Sequence, residues 1–330
     1  MYSKYNKLDT LLCYNKMNDD QKRFLVILIF CGLIIGCITT FVAINHQQKS
    51  DDQIVSNAIH MLNTTNGDVD PYFKENYDKI KHKVGMFDYS TNLSSSTMII
   101  DDWNNLADYI KDKYNNYNAF IIIVNNNTIV YTACAISFMI ENLSKPIIFT
   151  NGNDLTTTLV LASQTKIPEV MISTNNKLYR AVRNVFELTD DNCLTYNYQM
   201  PNIKYVNPKL IIPIIKVFPG IDEKYMKSFK NINGIILELW GEGSAPTNVG
   251  FLKSLKQITS KGVVILCVSQ CNDINCEIDI RLLDAGCLDG GDMTTEAAYA
   301  KLVFLLSNIP DKKMIGKLVE ISFRGELLQK

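Results

Sequence analysis

The stretch that decides the fold runs from Ala119 to Asn151 and reads AFIIIVNNNTIVYTACAISFMIENLSKPIIFTN. It opens with an unbroken apolar run, residues 119–124, which is typical of a strand buried on both faces of a parallel sheet. Apolar residues at helical spacing then predict a helix from Thr128 to Leu143, and a second apolar strand follows Pro146. The stretch therefore predicts a β-α-β unit whose ligand crevice lies at the loop after the first strand.

Motifs along and beyond this unit resemble the asparaginase family, and the cytoplasmic (type I) bacterial enzymes in particular. The matching motifs are Tyr131-Thr132-Ala133, Ser137-Phe138-Met139, Lys145-Pro146, Asn175-Asn176-Lys177-Leu178-Tyr179-Arg180, Asp292-Met293-Thr294 and Phe323-Arg324-Gly325-Glu326-Leu327. The resemblance covers roughly residues 85–328. It implies an α/β two-domain fold, with a larger N-terminal parallel-sheet domain at residues 51–200 and a smaller C-terminal α/β domain at residues 210–330.

The catalytic loop of the family is replaced in this chain. The family carries His-Gly-Thr-Asp-Thr after the strand, where this sequence has Val124-Asn125-Asn126-Asn127-Thr128. By resemblance, Asn126 stands at the position of a catalytic threonine, Asn127 at that of an aspartate, and Phe186 at that of a lysine. An asparagine amide is neither a nucleophile nor a base near neutral pH. We therefore expect that no catalytic residue of the family is intact.

The resemblance also predicts which residues line a ligand pocket. A family motif that holds the substrate's α-carboxylate and α-amino groups matches Ser94-Ser95-Ser96-Thr97-Met98, but its acid is replaced by Thr97. A hydroxyl lacks the charge-assisted part of ammonium binding. For the serines, the alternative is a helix N-cap before Trp103. The predicted pocket residues are Ser95, Ser96, Thr97, Asn126, Asn127 and Thr128.

Family enzymes begin with a strand that ends in Thr-Gly-Gly-Thr-Ile and carries the primary nucleophile. The nearest local segment, residues 55–59, lacks both the glycine pair and a threonine. Thr64 and Thr65 are candidate nucleophiles, with ordinary surface-loop threonines as the alternative. The three histidines precede the matched region and have no Ser or Cys partner in a known arrangement. Neither a metal nor a cofactor is predicted.

Residues 24–44 contain no charged side chain and are long enough for the roughly 20 residues that a helix needs to cross a bilayer. Lys22 and Arg23 precede this segment, so the positive-inside rule places residues 1–23 in the cytoplasm. The C-terminal domains are then lumenal or extracellular. This pattern predicts a single-pass signal-anchor, that is, one transmembrane helix, with a cleaved signal peptide as the alternative.

Charge and cysteine usage exclude some functions. The net charge is -1, which offers no electrostatic attraction for nucleic acid. Nine cysteines without a Cys-x-x-Cys pair argue against a zinc ribbon. In an oxidising lumen Cys271 and Cys276 are close enough in sequence for a disulfide, with free thiols as the alternative. The Asn-, Ile- and Lys-rich composition and the eroded loop favour the hypothesis of a captured gene of viral origin.

Together these patterns predict a membrane-anchored asparaginase-like pseudoenzyme that acts by binding a protein partner or a small ligand. One alternative is an amidohydrolase that converts L-asparagine to L-aspartate and ammonia with an altered catalytic set. Another is a structural membrane protein whose pocket has collapsed. The resemblance further implies a homo-oligomer, because most enzymes of the family associate into dimers or tetramers.

Overall fold

The computed structural model describes residues 59–63, 84–88, 97–153, 155–189, 192–194, 200–241, 243–271 and 277–328. Asn57–Lys330 form one compact unit. The membrane span predicted at residues 24–44 lies outside the described residues, as do Thr64, Thr65, Ser95 and Ser96. Within the described ranges, no helix is both long and apolar enough to cross a bilayer.

Thirteen strands and eight α-helices lie along the described ranges. The strands are β1 (Ile59–Asn63), β2 (Val84–Asp88), β3 (Ala119–Ile123), β4 (Ile140–Glu141), β5 (Ile147–Thr150), β6 (Val170–Thr174), β7 (Lys177–Arg180), β8 (Arg183–Glu187), β9 (Asn202–Ile203), β10 (Ile214–Lys216), β11 (Gly234–Leu239), β12 (Val264–Ser269) and β13 (Leu288–Asp289). The helices are α1 (Ile100–Lys113), α2 (Ile129–Met139), α3 (Leu155–Gln164), α4 (Glu223–Lys227), α5 (Val249–Ser260), α6 (Ile280–Asp284), α7 (Thr295–Asn308) and α8 (Lys312–Val319).

The larger sheet has the strand order β2-β1-β3-β5-β6-β7-β8. Its pairs from β2 to β6 are parallel, and β7 and β8 join as antiparallel strands. Every residue of β3 and β5 is buried, as expected for central parallel strands covered on both faces. The hairpin between β6 and β7 turns at Asn175 and Asn176, whose φ angles of 50° and 61° suit asparagine better than most residues.

The β-α-β unit predicted in residues 119–151 is present as β3, α2 and β5. The helix is shorter than predicted, because it begins at Ile129 and ends at Met139. Ile140 and Glu141 leave the helix and pair antiparallel with β9, and Asn142 follows with a φ of 60°. The apolar spacing could not show this end, because a buried strand residue such as Ile140 continues the apolar pattern of the helix.

The smaller sheet has the order β10-β11-β12-β13 and is parallel throughout. The apolar run at residues 234–239 predicts a buried strand, and β11 has these bounds. The apolar run at residues 210–218 predicts another strand, which is reduced to β10 in the structure. Pro213 lies just before β10 and has no backbone N–H to donate to a ladder. Separate apolar clusters pack on the two sheets, around Ile121 in the larger and Ile235 in the smaller. The fold is therefore the two-domain α/β arrangement with parallel sheets that the resemblance implies.

The C-terminal segment, residues 322–328, ties α2 to the second half of the chain. The Arg324 guanidinium donates hydrogen bonds to the carbonyls of Ser137 at 2.7 Å and Phe138 at 3.5 Å, at the end of α2. Glu326 forms a fully buried ion pair with Lys301 of α7, at 2.8 Å. These contacts fix the helix that starts at the candidate site.

Candidate functional site

The candidate site lies at the carboxyl edge of the larger sheet, where β1 has β2 on one side and β3 on the other. Such a reversal of strand order is a topological switch point, where ligands usually bind in parallel sheets. The register pairs Asn63, the last residue of β1, with Ile123 at the end of β3. The loop at residues 125–128 therefore begins at this crevice, as the sequence predicts.

The position of the first strand corrects the sequence prediction. Residues 55–59 are the nearest match to the family's first motif in sequence, yet the strand runs from Ile59 to Asn63. Ile59, Met61 and Leu62 are at most 5% exposed, so burial against the neighbouring strands sets the register. Thr64 and Thr65 follow this strand directly in the sequence.

Turn hydrogen bonds build the loop after β3. The Asn125 side-chain Oδ1 accepts from the Asn127 N–H at 3.2 Å. The Asn125 backbone carbonyl accepts from the N–H groups of Thr128 at 3.0 Å and Ile129 at 3.1 Å, which starts α2. Asn126 and Asn127 are exposed, and Thr128 is partly buried. Asn125 thus starts the helix, whereas Asn126 and Asn127 are exposed residues of the loop at the crevice edge.

A second loop, at the end of β5, lies against the first. The Asn151 Nδ2 group donates to Asn126 Oδ1 at 3.4 Å, which connects the carboxyl ends of β5 and β3. Asn151 Oδ1 accepts from the Asn153 N–H at 3.1 Å, and the Gly152 N–H donates to Thr150 Oγ1 at 3.3 Å. The polar side chains described at these two strand ends are therefore amides and hydroxyls.

Thr97, the predicted pocket residue nearest to α1, is exposed. Its neighbour Met98 places its sulfur 3.2 Å from Thr132 Oγ1 in the first turns of α2, so this segment approaches the loop at residues 125–128. The helix N-cap proposed for the serines is wrong, because the N-cap position of α1 is Ile99. The Ile99 N–H donates to the Asp102 carboxylate at 2.7 Å, so a side chain inside the helix accepts the hydrogen bond of the N-cap N–H group.

Phe186 lies in β8, the edge strand, and β5, β6 and β7 separate that strand from β3. Arg180, the last residue of the matched motif at residues 175–180, and Arg183 each form an ion pair. Arg180 makes two hydrogen bonds to the Glu169 carboxylate, at 2.7 and 3.0 Å. Arg183 pairs with Asp292 at 2.5 Å. The bidentate, buried pairing of Arg180 with Glu169 is the geometry expected of an arginine that holds a fold together.

A second polar group, on the smaller sheet, is absent from the sequence prediction. Thr295 Oγ1 donates to Glu238 Oε1 at 2.6 Å. Tyr131 of α2 is close enough to the carboxylates of Glu238 and Glu296 for their negative charges to act on its hydroxyl. Burial, and then the charges of Glu296 and Glu238, raise the pKa of Tyr131 to about 12. The one available sequence signal is Glu238, the lone acid in the apolar strand GIILEL, which is partly buried between buried neighbours.

Cys134, Cys271 and Cys287 are free thiols. Cys271 is exposed and unpaired, so the disulfide considered for it in the sequence analysis is wrong, and the alternative of a free thiol holds for Cys271. Cys276 lies outside the described residues. Cys134 is buried, and burial raises the pKa of its thiol well above the usual range. A thiol with a raised pKa is a poor nucleophile at neutral pH. In the described ranges, no three His, Cys, Asp or Glu side chains come together as a metal site.

A mostly parallel sheet and a fully parallel one, each with its own core, and a crevice at a topological switch point define the class as a two-domain α/β protein. Family models agree with this arrangement: "Asparaginase, N-terminal" matches residues 44–190, and "Glutaminase/Asparaginase C-terminal domain" matches residues 212–319. The chain belongs to the asparaginase family.

Individual relatives show how far the similarity extends. L-asparaginase 1 of Escherichia coli (strain K12) is 30% identical over 282 residues, which is 73% of this chain and 83% of the relative. The 60 kDa lysophospholipase of Homo sapiens is 28% identical over 276 residues, 71% of this chain and 48% of that protein. The crystal structure of L-asparaginase I from Vibrio cholerae superposes with a TM-score of 0.74 at 25% identity, covering 83% of this chain and all of that one.

Proposed function

We propose that this chain is a catalytically inactive member of the asparaginase family that acts by binding, either to a protein partner or to a small ligand in the crevice. The observation that carries the proposal is the loop after β3. Asn126 and Asn127 occupy the positions at which the resemblance places a threonine and an aspartate. Their amides can neither attack a carbonyl nor accept the proton of an attacking hydroxyl.

The contacts of this loop support the same reading. Asn126 Oδ1 accepts from Asn151, so this amide is engaged with a neighbouring strand end. The loss of one member of a catalytic unit commonly costs several orders of magnitude in rate. The amides and hydroxyls at the crevice edge suit hydrogen bonding to a ligand, since each amide offers both a donor and an acceptor.

The proposal includes a membrane tether and self-association. The uncharged segment at residues 24–44, preceded by Lys22 and Arg23, supports a single-pass anchor with a lumenal or extracellular C-terminal part. Protease treatment of sealed vesicles tests the topology: residues 45–330 are protected, whereas an N-terminal tag is digested. The reverse pattern contradicts the orientation. Light scattering of the detergent-solubilised chain tests for the homo-oligomer that the resemblance implies.

Ammonia release from L-asparagine and L-glutamine tests the inactive reading. The full-length chain, purified in detergent, is incubated with each amino acid alongside a heat-denatured sample. We expect the two samples to release ammonia at the same rate. Saturable release above the denatured background contradicts the proposal.

An amidohydrolase with an altered catalytic set is the second candidate, and two observations favour it. Thr64 and Thr65 follow directly after β1, the strand at the switch point. Thr295 and Glu238 form a hydroxyl–carboxylate pair at 2.6 Å, which is the contact that a nucleophile and its base require.

Single substitutions distinguish the second candidate from a contaminating activity. Thr64→Val, Thr65→Val and Thr295→Val each remove one hydroxyl and keep the side-chain volume nearly constant. Ser260→Ala removes an exposed hydroxyl at the end of α5 and serves as the control. If one threonine variant loses ammonia release and the control retains it, the second candidate replaces the first. Release that no variant affects belongs to a contaminant.

A further inference from the structure

The turn at the end of β5 contains an Asn-Gly pair, Asn151-Gly152, beside the crevice. The backbone nitrogen after an asparagine can attack the side-chain carbon Cγ, and glycine hinders this attack least because it has no Cβ. We propose that Asn151 is a modification site at which this attack converts the side-chain amide to a carboxylate. The proposal is independent of whether the chain turns over a substrate.

Each of the three reacting groups in this turn has a hydrogen-bond partner that suits the reaction. The attacking nitrogen, of Gly152, points its N–H at Thr150 Oγ1 at 3.3 Å. The Asn151 Oδ1 atom, on which negative charge develops, accepts from the Asn153 N–H at 3.1 Å. A donor held at such an oxygen stabilises the tetrahedral intermediate of acyl transfer. The leaving Nδ2 group is held by Asn126 Oδ1 at 3.4 Å.

The chemistry balances with water as the sole co-reactant. The Gly152 nitrogen forms a bond to Cγ of Asn151 and gives up its proton, the Cγ–Nδ2 bond breaks, and ammonia leaves with that proton. Water then opens the cyclic imide, adding its hydroxyl to one of the two ring carbonyls and a proton to the nitrogen. The products are aspartate or isoaspartate at position 151, and nothing is oxidised or reduced.

A second Asn-Gly pair in the described residues, Asn233-Gly234, provides an internal control. Asn233 is exposed, but Gly234 is the first residue of β11 and is buried. A Cβ added at Gly234 would lie 2.9 Å from Leu302 Cδ2, which shows how tightly this backbone is packed. Pairing with Val264 of β12 keeps the strand extended. The Gly234 nitrogen is therefore held in the sheet, whereas Gly152, with a φ of 87°, lies in a turn outside the strands and is partly exposed.

Conversion at Asn151 would change the charge of the candidate site. The Nδ2 donor that contacts Asn126 is replaced by a carboxylate oxygen, and the crevice edge gains a negative charge. A carboxylate forms charge-assisted hydrogen bonds with ammonium groups, which an amide cannot. The modified chain is therefore expected to accept a ligand with an ammonium group better than the unmodified chain does.

Peptide mass spectrometry of the full-length chain tests the proposal. The chain is incubated in native buffer at neutral and mildly alkaline pH, and in parallel in concentrated urea. In the native samples we expect modification at Asn151 to be at least about tenfold faster than at Asn233, the factor that about 1.4 kcal/mol of activation free energy gives. The rate should rise with pH, because the attacking nitrogen must lose a proton. In urea the two sites should react at similar rates.

Asn151→Gln confirms the site, because the longer side chain needs a larger ring and should not react on the same timescale. If the native chain modifies Asn151 no faster than Asn233, the proposal is overturned. It is also overturned if the mass change persists in the same peptide of Asn151→Gln, since the reacting residue is then a different one.

Discussion

Removing the ammonium group of Lys301 should destabilise the chain more than any comparable change of a surface lysine. Lys301 is 0% exposed, and its Nζ group donates to the carbonyls of Val319 and Ile321, both at 2.7 Å, and to Glu326 at 2.8 Å. Burial lowers the pKa of Lys301, and the charge of Glu326 opposes that shift. Lys301→Met keeps the apolar stem and removes only the charge and the three donors.

The expected cost follows from what the substitution leaves behind. Glu326 is also 0% exposed, so its carboxylate remains buried without its counter-charge. It keeps the backbone N–H groups of Phe323 at 3.0 Å and Arg324 at 2.7 Å, which satisfy part of its hydrogen-bonding capacity. Breaking a buried ion pair by removing one partner typically costs about 3–5 kcal/mol. This cost is a large fraction of the free energy of unfolding of a typical domain, which is about 5–15 kcal/mol.

Urea unfolding of the full-length chain, followed by circular dichroism, measures this loss. Lys301→Met should shift the midpoint without changing the slope, because the surface exposed on unfolding is unchanged. The double variant with Glu326→Gln should recover part of the loss, since no uncompensated charge remains buried. Lys317→Met, an exposed lysine of α8, is the control and should stay within about 0.5 kcal/mol. A loss in Lys301→Met no larger than in this control refutes the reasoning.

Three further predictions concern individual side chains. In a spectrophotometric titration, Tyr131 should ionise near pH 12, and at a lower pH in Glu296→Gln. Its raised pKa contributes stability below about pH 10 that is lost as the pH rises through 12. In a carboxyl NMR titration, Asp279 should titrate near pH 2, because hydrogen bonds from Arg281 lower its pKa. Arg281→Gln should return that pKa towards 3.8. The stability that Asp279 contributes is lost as the pH falls from about 4 through 2. Cys271 should react with a thiol reagent in the native state, whereas the buried cysteines react only after unfolding.

Much of the fold follows from local patterns in the sequence. The apolar run before Asn125 predicts a buried parallel strand, and β3 is buried at every residue. The bounds of β11 agree with the apolar run at residues 234–239. These elements are predictable because burial on both faces, or on one helical face, leaves a direct record in residue spacing. The end of α2 cannot be predicted in this way, because it depends on the pairing of Ile140 with Ile203, which lies far along the chain.

The candidate site was predictable only in part. The sequence locates the loop at residues 125–128, and the strand order confirms that this loop begins at the switch point. The contact between Asn126 and Asn151 depends on two strand ends that are adjacent only in the folded sheet. The pair formed by Thr295 and Glu238 joins residues from separate elements of the second half and has no local signature.

By itself, the sequence determined the β-α-β core and the family resemblance, and it predicted that Asn126 and Asn127 stand where the resemblance places reactive groups, because each of these depends on residue type and local spacing. Only the tertiary structure decided that Ile59–Asn63 is the strand beside the crevice, and that Lys301 and Glu326 bury a charge pair. Contacts between distant segments determine these features, and the sequence carries no periodic signal for such contacts.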